Sequence, residues 1–137
     1  MTAAMNPSPE AELPRCVTDR GLTLTLRGAL FLNGRAELNP DNSLFARLLT
    51  VLSGYPDSRV SVEAHTDSLG SEGYNYNLSQ RRADSVKLFL VEGGVALLRV
   101  TALGRGGSRP LASDHTAAGR HQNSRVEVIV HTAAAAV

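Results

Sequence analysis

The chain has 137 residues and a mass of 14.6 kDa, long enough for one domain with its own core. Its 14 Lys and Arg residues against 13 Asp and Glu leave a formal charge of +1, and 42% of the residues are hydrophobic. This balance argues against a disordered chain and against a general polyanion binder, so no nucleic-acid partner is expected. Aromatic residues make up only 4%, which leaves few rings for stacking on bases or sugars.

Cysteine, histidine and hydropathy patterns set further limits. The single Cys16 allows no disulfide within the chain and no Cys-based zinc site. The histidines lack i, i+4 spacing on a predicted helix, so neither a metal nor a cofactor is expected. No run approaches the length of about 18 apolar residues that spans a bilayer, and no signal peptide is evident. The sequence predicts a cytosolic protein or the soluble part of a larger one.

Between two flanking segments, the apolar period switches between two and about 3.6, as expected for alternating strands and helices. Residues 1–18, with three of the six prolines, are interpreted as a flexible leader or linker, residues 19–131 as the domain and residues 132–137 as an Ala-rich tail. Strands are predicted around residues 22–26, 60–64, 100–104 and 126–130.

Two helices are predicted between these strands. Asn39-Pro40 supplies a cap and a proline at the first helical position, and this helix ends near Gly54. Ser79 is predicted to cap the second helix, which ends at Gly93. With right-handed crossovers, the order strand, helix, strand, helix, strand, loop, strand predicts a two-layer α/β sandwich, in which a mixed four-stranded sheet carries both helices on one face.

The densest group of polar residues follows the second strand, where α/β folds usually place ligands. A cap at Ser79 would put Arg81 and Arg82 in the first helical turn, where a cation is unfavourable by up to about 1 kcal/mol. A bound carboxylate would offset this repulsion and meet a guanidinium fork. With Asp67 facing the same cleft, the pair would bind a zwitterion. Taken separately, Asp67 fits a turn former and the arginines fit a solvated surface.

The sequence gives little support for catalysis. His65, Asp67 and Ser68 are too close along one strand to form a nucleophile, base and orienting carboxylate. No pair of carboxylates suggests glycoside cleavage. We therefore expect binding without turnover, with His65 as a hydrogen-bonded residue that supports the loop.

The segment from Ala64 to Val86 resembles the signature of the OmpA-like peptidoglycan-binding domain, G-H-T-D-x-x-G-x-x-x-Y-N-x-x-L-S-x-x-R-A-x-x-V, in identity and spacing, and weaker agreement extends over residues 19–131. The resemblance implies noncatalytic binding of peptidoglycan through the diaminopimelate of its stem peptide. It also implies a periplasmic location, as the soluble domain of a membrane-associated outer-membrane or envelope protein.

The same resemblance implies roles for individual residues. Asp67 and Arg82 would grip the ammonium and carboxylate groups of diaminopimelate. The other residues implied to line the pocket are Thr66, Asn75 and Arg125, and those implied to support it are His65, Ser79 and Asn123.

Besides Ala64, a small change where the signature has Gly, two positions depart from the family pattern. Leu32 follows Phe31 where relatives often carry Asp or Ser, and Ser124 replaces one arginine of the common Asn-Arg-Arg-Val-Glu. These departures support a second hypothesis, in which the pocket is degenerate and the domain docks onto a protein partner.

Overall fold

The computed structural model describes residues 15–32, 34–113 and 115–132. The strands are β1 Arg15–Thr18, β2 Gly21–Leu26, β3 Arg59–His65, β4 Val100–Gly106 and β5 Arg125–His131. The helices are α1 Leu44–Leu52, α2 Glu72–Glu92 and α3 Ala117–Asn123, with a 3-10 turn at Leu97–Arg99. Within the described residues, no helix is both long enough and apolar enough to cross a membrane.

The strands form one mixed sheet in the order β1-β2-β5-β3-β4. The β3–β4 pair is parallel and the other pairs are antiparallel. The predicted two-layer α/β sandwich is confirmed, although the sheet has five described strands instead of four. The additional strand is β1, within the segment interpreted as leader, where Thr18 pairs with Gly21 across a tight turn.

The core lies between one face of the sheet and helices α1 and α2. Because successive strand residues point to opposite faces, alternate residues of β2, β3 and β5 reach this core. The residues that fill it include Leu22, Leu24, Leu26, Val60, Val62, Val126, Val128 and Val130 from the strands and Phe45, Leu48, Leu52, Ala83, Val86 and Leu90 from the helices. Both helices therefore cover the same face of the sheet, as predicted.

The predicted start of α1 at Pro40 is wrong. The side chains of Asn39 and Asn42 both donate to the Ala29 carbonyl, at 2.9 and 3.1 Å. These bonds hold the preceding residues in a turn, and the helix begins only at Leu44. The asparagine is thus used in a turn instead of a helix cap.

The predicted cap of the second helix at Ser79 is also wrong. The N-cap of α2 is Ser71, whose hydroxyl accepts a hydrogen bond from the Tyr74 N–H at 3.0 Å. Ser79 is fully buried within the helix, where its hydroxyl donates to the Tyr76 carbonyl and accepts from the Gly106 N–H at 2.8 Å. Arg82 consequently lies in the middle of α2, and repulsion at a helix start gives no argument for a bound anion.

Helix α2 lies along the outer edge of β4. Gln80 Oε1 accepts from the Gly104 N–H at 2.8 Å, and Gln80 Nε2 donates to the Ala102 carbonyl at 3.3 Å. This side chain occupies backbone groups of an edge strand that would otherwise be open for pairing. The approach is so close that a Cβ at Gly104 would lie 2.3 Å from the backbone nitrogen of Gln80.

Candidate functional site

Asp67 lies in the loop between β3 and α2 and is half-buried. Its Oδ1 accepts a hydrogen bond from the Leu69 N–H at 3.0 Å, and Asn75 Nδ2 donates to the Leu69 carbonyl at 2.9 Å. On the other side, the Thr66 N–H donates to the Gly106 carbonyl at 2.9 Å. The loop is therefore braced by both α2 and β4. Thr66 and Asn75 contribute to this bracing and are themselves buried.

Arg82 lies on α2 and is half-buried. Its Nε donates to the Arg35 carbonyl at 2.8 Å, and its guanidinium carbon lies over the ring of Phe31, 4.7 Å from the centroid. Within the described residues, no carboxylate forms an ion pair with Arg82 and its terminal nitrogens have no protein hydrogen-bond partner. The guanidinium is thus partly dehydrated without a countercharge.

The electrostatics of Arg82 reflect this environment. Burial lowers its pKa, and the charge of Arg81 lowers it further, whereas Tyr74 and Asp67 raise it. Asp67 is therefore near enough to influence Arg82 electrostatically, yet the described residues contain no ion pair between them. Both charges remain available to a ligand.

Arg82 lines an open groove of about 460 Å³, called the Arg82 groove from here on. Its described lining also includes Gly28, Leu30, Phe31, Leu32 and Ser124, and Arg82 carries the only charge in it. Asp67 lies outside this lining. The two departures from the family pattern, Leu32 and Ser124, both lie in the groove, so they affect the surface that a ligand of Arg82 would contact.

Arg125 is 4% exposed, and its guanidinium is engaged by the protein. It donates to Glu127 Oε2 at 2.8 Å and to the carbonyls of Asn123 and Arg109, both at 3.0 Å. Arg125 also lines a smaller cavity of about 40 Å³ together with Arg82. It therefore forms part of the wall, and its direct contact with a ligand stays a prediction.

Asn123 ends α3, a helix within the segment that was expected to be a loop. Its Oδ1 accepts from the N–H groups of Leu111 and Ala112 at 2.7 and 2.9 Å, and its Nδ2 donates to the Ala112 carbonyl at 2.9 Å. This buried amide holds the segment before α3 against the start of β5. The contacts are those of a residue that supports the wall beside the groove.

His65 is buried and lacks the expected hydrogen bond. Neither ring nitrogen has a hydrogen-bond partner among the residues that the structure describes, and Nε2 lies 3.8 Å from Glu127 Oε1. With Glu63, these residues bring three donor atoms within 4.8 Å of one another. Glu63 is already paired with Arg20 and Arg105, and Glu127 is paired with a third arginine. Because both carboxylates have cationic partners, we interpret this group as an ion-pair network, not as a metal centre.

The buried His65 makes acid stability a testable property. Burial, followed by the charge of Arg125, lowers its pKa from the ordinary value of 6.5 to about 4, against the opposing effects of Glu127 and Glu63. Between these values the unfolded chain binds the proton and the folded chain does not, so the free energy of unfolding falls as the pH falls through this window. We expect His65 to contribute a loss on the order of 3 kcal/mol by about pH 4.

Urea denaturation at pH 7 and pH 4.5 would measure this effect in the wild type, His65→Leu and the control His131→Gln, whose ring contacts the Ser61 hydroxyl. His65→Leu is expected to lose clearly less stability on acidification than the other two proteins. Equal losses in all three would contradict the assignment.

The structure thus places a half-buried guanidinium in an open groove and holds the carboxylate of Asp67 in a braced loop outside the groove lining, and an unpaired cation at a groove is typical of a small ligand-binding module. The chain belongs to the OmpA family, whose model matches residues 30–124.

Three relatives illustrate the similarity. The chain is 52% identical over 87 residues to outer membrane porin F of Pseudomonas fluorescens, 40% identical over 102 residues to the outer-membrane lipoprotein YfiB of Pseudomonas aeruginosa, and 36% identical over 133 residues to the peptidoglycan-binding protein ArfA of Mycobacterium bovis. These matches cover 64%, 74% and 96% of this chain, but only 27%, 61% and 41% of the respective relatives.

Solved structures share the fold. The cell wall anchor of the T6SS from Pseudomonas aeruginosa superposes with a TM-score of 0.72 at 32% identity, over 86% of this chain and 87% of that one. A periplasmic domain of Helicobacter pylori MotB gives a TM-score of 0.76 at 23% identity, over 87% of this chain and 78% of that one, which is a similarity of fold alone.

Two contacts of Arg82 were not predicted from the sequence. Arg35 contributes its backbone carbonyl, and since every residue has one, the residue type does not indicate this contact. Phe31 entered only as part of the family resemblance, and an aromatic residue in a connecting segment does not indicate which cation it will contact.

Proposed function

We propose that this domain binds peptidoglycan without turnover, through the diaminopimelate residue of its stem peptide, and thereby anchors a cell-envelope protein to the wall. The observation that carries the proposal is the state of Arg82, half-buried beside an open groove with no ion-pair partner among the described residues. A guanidinium in this state favours a carboxylate, which it can bind with two parallel hydrogen bonds. Asp67 supplies the opposite charge for an ammonium group.

The family relationship supports peptidoglycan as the polymer. One relative is named as a peptidoglycan-binding protein, and one structural neighbour is described as a cell wall anchor. Two other relatives are outer-membrane proteins by name. These names support our proposal that the domain is periplasmic, as the soluble part of an outer-membrane or envelope protein.

Binding without turnover is part of the proposal. The described lining of the Arg82 groove contains one hydroxyl, that of Ser124, and no histidine, so this lining offers no serine–histidine pair of the kind that activates a nucleophile. Ser79, the buried hydroxyl nearest in sequence to Arg82, is held between Tyr76 and Gly106.

Cosedimentation with purified sacculi, followed by competition with soluble muropeptides, tests the proposal. A muropeptide with meso-diaminopimelate should displace the protein at a concentration at least about tenfold lower than a muropeptide with L-lysine, which has the side-chain ammonium but lacks the adjacent carboxylate. Equal competition by both ligands would contradict recognition of diaminopimelate. Absence of cosedimentation at low salt would favour the alternative of a protein-docking domain, to which the apolar Leu32 at the groove would contribute.

A further inference from the structure

We propose that Phe31 is a positioning residue for ligand binding, which holds the guanidinium of Arg82 so that its terminal nitrogens face the Arg82 groove before a ligand arrives. This inference rests on the proposed function, because it concerns how the carboxylate-binding group is prepared. It adds a residue whose effect passes entirely through Arg82.

Two contacts restrain the guanidinium of Arg82. The Phe31 ring supports the guanidinium at 4.7 Å from its centroid, while the Arg35 carbonyl accepts the Nε proton at 2.8 Å. A guanidinium has five N–H groups, and the Nε contact uses one of them. The remaining four belong to the terminal nitrogens, which have no protein partner among the described residues. The contacts thus fix the group while leaving its carboxylate-binding edge open.

Phe31 is itself held in place. Its backbone forms an isolated antiparallel bridge with Leu38, and its ring packs edge-on against Phe45 at a centroid distance of 6.3 Å. Phe45 is 3% exposed and belongs to the core. The ring position is therefore determined by the fold, and Arg82 follows it. A long side chain that is ordered in advance loses less conformational entropy on binding.

The contact with Arg82 distinguishes Phe31 from the neighbouring ring of Phe89. Phe89 is also half-buried and packs against Phe45, at a centroid distance of 5.7 Å, but among the described residues the ring that lies under the Arg82 guanidinium is that of Phe31. Replacing either Phe31 or Phe89 by Leu removes one phenyl ring from the cluster around Phe45. Only the Phe31 change removes the support of the guanidinium, so Phe89→Leu is a matched control.

The test is a double-mutant cycle between Phe31→Leu and Arg82→Gln, measured by NMR titration with a meso-diaminopimelate muropeptide up to millimolar concentration. Phe31→Leu is expected to weaken binding about fivefold to tenfold, whereas Phe31→Tyr and Phe89→Leu stay within about twofold of the wild type. In the Arg82→Gln background, Phe31→Leu should have no further effect. Urea denaturation of every variant confirms that it is folded and compares the stability losses of the two leucine variants.

A second readout needs no ligand. In the free protein, the Arg82 Nε proton should exchange with water at least about fivefold faster in Phe31→Leu than in the wild type and in Phe89→Leu, because the ring no longer holds the group against the Arg35 carbonyl.

The outcomes distinguish this inference from the proposed function. Equal weakening by Phe31→Leu with and without Arg82, or equal effects of the two leucine variants on binding and exchange, would assign Phe31 a purely structural role and overturn the inference. Loss of binding in Arg82→Gln without any effect of Phe31→Leu would also overturn it, while the proposed function would stand. Unchanged binding in folded Arg82→Gln would overturn the proposed function itself.

Discussion

Replacing Asp67 by Asn or Arg82 by Gln is expected to weaken binding of a meso-diaminopimelate muropeptide at least about thirtyfold, or roughly 2 kcal/mol. Each change keeps the approximate size of the side chain and removes its charge. The partner charge on the ligand would then be held in a partly dehydrated site without compensation, which costs more than the loss of a solvated ion pair. Calorimetric titration at constant salt measures the difference.

Matched controls keep this result interpretable. Asp67→Asn retains an amide oxygen that can accept from the Leu69 N–H, so the loop turn is preserved. Arg81→Gln removes the neighbouring exposed cation on α2, and Asp57→Asn removes an exposed carboxylate in a turn. Both controls should bind as the wild type does. Folded Asp67→Asn and Arg82→Gln proteins that also bind normally would contradict the assigned pocket.

The ligand series assigns each charge to its partner. A muropeptide with L-lysine carries the side-chain ammonium without the adjacent carboxylate. Arg82→Gln should therefore affect the diaminopimelate ligand strongly and the lysine ligand little, whereas Asp67→Asn should weaken both. The reverse pattern would contradict this assignment of the two charges to their ligand groups.

The strands and the layer arrangement could be predicted from the sequence because they depend on local alternation. In β3, Val60 and Val62 alternate with polar neighbours. In β5, Val126 and Val128 flank the polar Glu127, and Val130 continues the same core-facing row after the apolar Ile129. This period of two is incompatible with a helix and directs one face to the core. The strand β1 escaped prediction because only four residues pair, all of them exposed.

The helix starts could not be predicted correctly because the deciding contacts are not local. Ser79 has the residue type of a cap, but its hydroxyl accepts from Gly106, 27 positions later in the chain. Similarly, Asn39 has the type of a cap, but its amide bonds the Ala29 carbonyl. Capping rules compare a residue with its own turn and do not include partners from another element.

At the site, too, the candidate residues could be predicted from the sequence, but their surroundings could not. The spacing of Asp67 and Arg82 was visible in the sequence, and in the structure the charge of Asp67 acts to raise the pKa of Arg82, although Asp67 lies outside the lining of the Arg82 groove. The predicted position of Arg82 in the first turn of the helix was nevertheless wrong, since Arg82 is dehydrated by burial in the middle of the helix. Arg125 illustrates the reverse case, because the backbone carbonyls that occupy its guanidinium have no signature in sequence.

Gly104→Ala is expected to lower the free energy of unfolding by at least about 3 kcal/mol, because α2 and β4 are in close contact at this residue. A Cβ at Gly104 would lie 2.3 Å from the Gln80 nitrogen, 2.6 Å from the Gln80 Cα and 2.6 Å from the Ser79 hydroxyl oxygen. Two of these atoms are backbone and cannot move aside by changing rotamer. The helix would have to withdraw from the strand, which would break the bonds from Gln80 and Ser79 to β4.

Gly73→Ala provides the matched control for this prediction. Gly73 lies in the first turn of the same helix, and a Cβ there would meet no atom within 4 Å. Because alanine favours the helix and restricts the unfolded chain, this variant should be as stable as the wild type or more stable by up to about 1 kcal/mol. Urea denaturation monitored by far-UV circular dichroism compares the three proteins. Similar stabilities of Gly104→Ala and Gly73→Ala would mean that α2 can move relative to β4, and the fixed position of Arg82 beside its groove would then lose its structural basis.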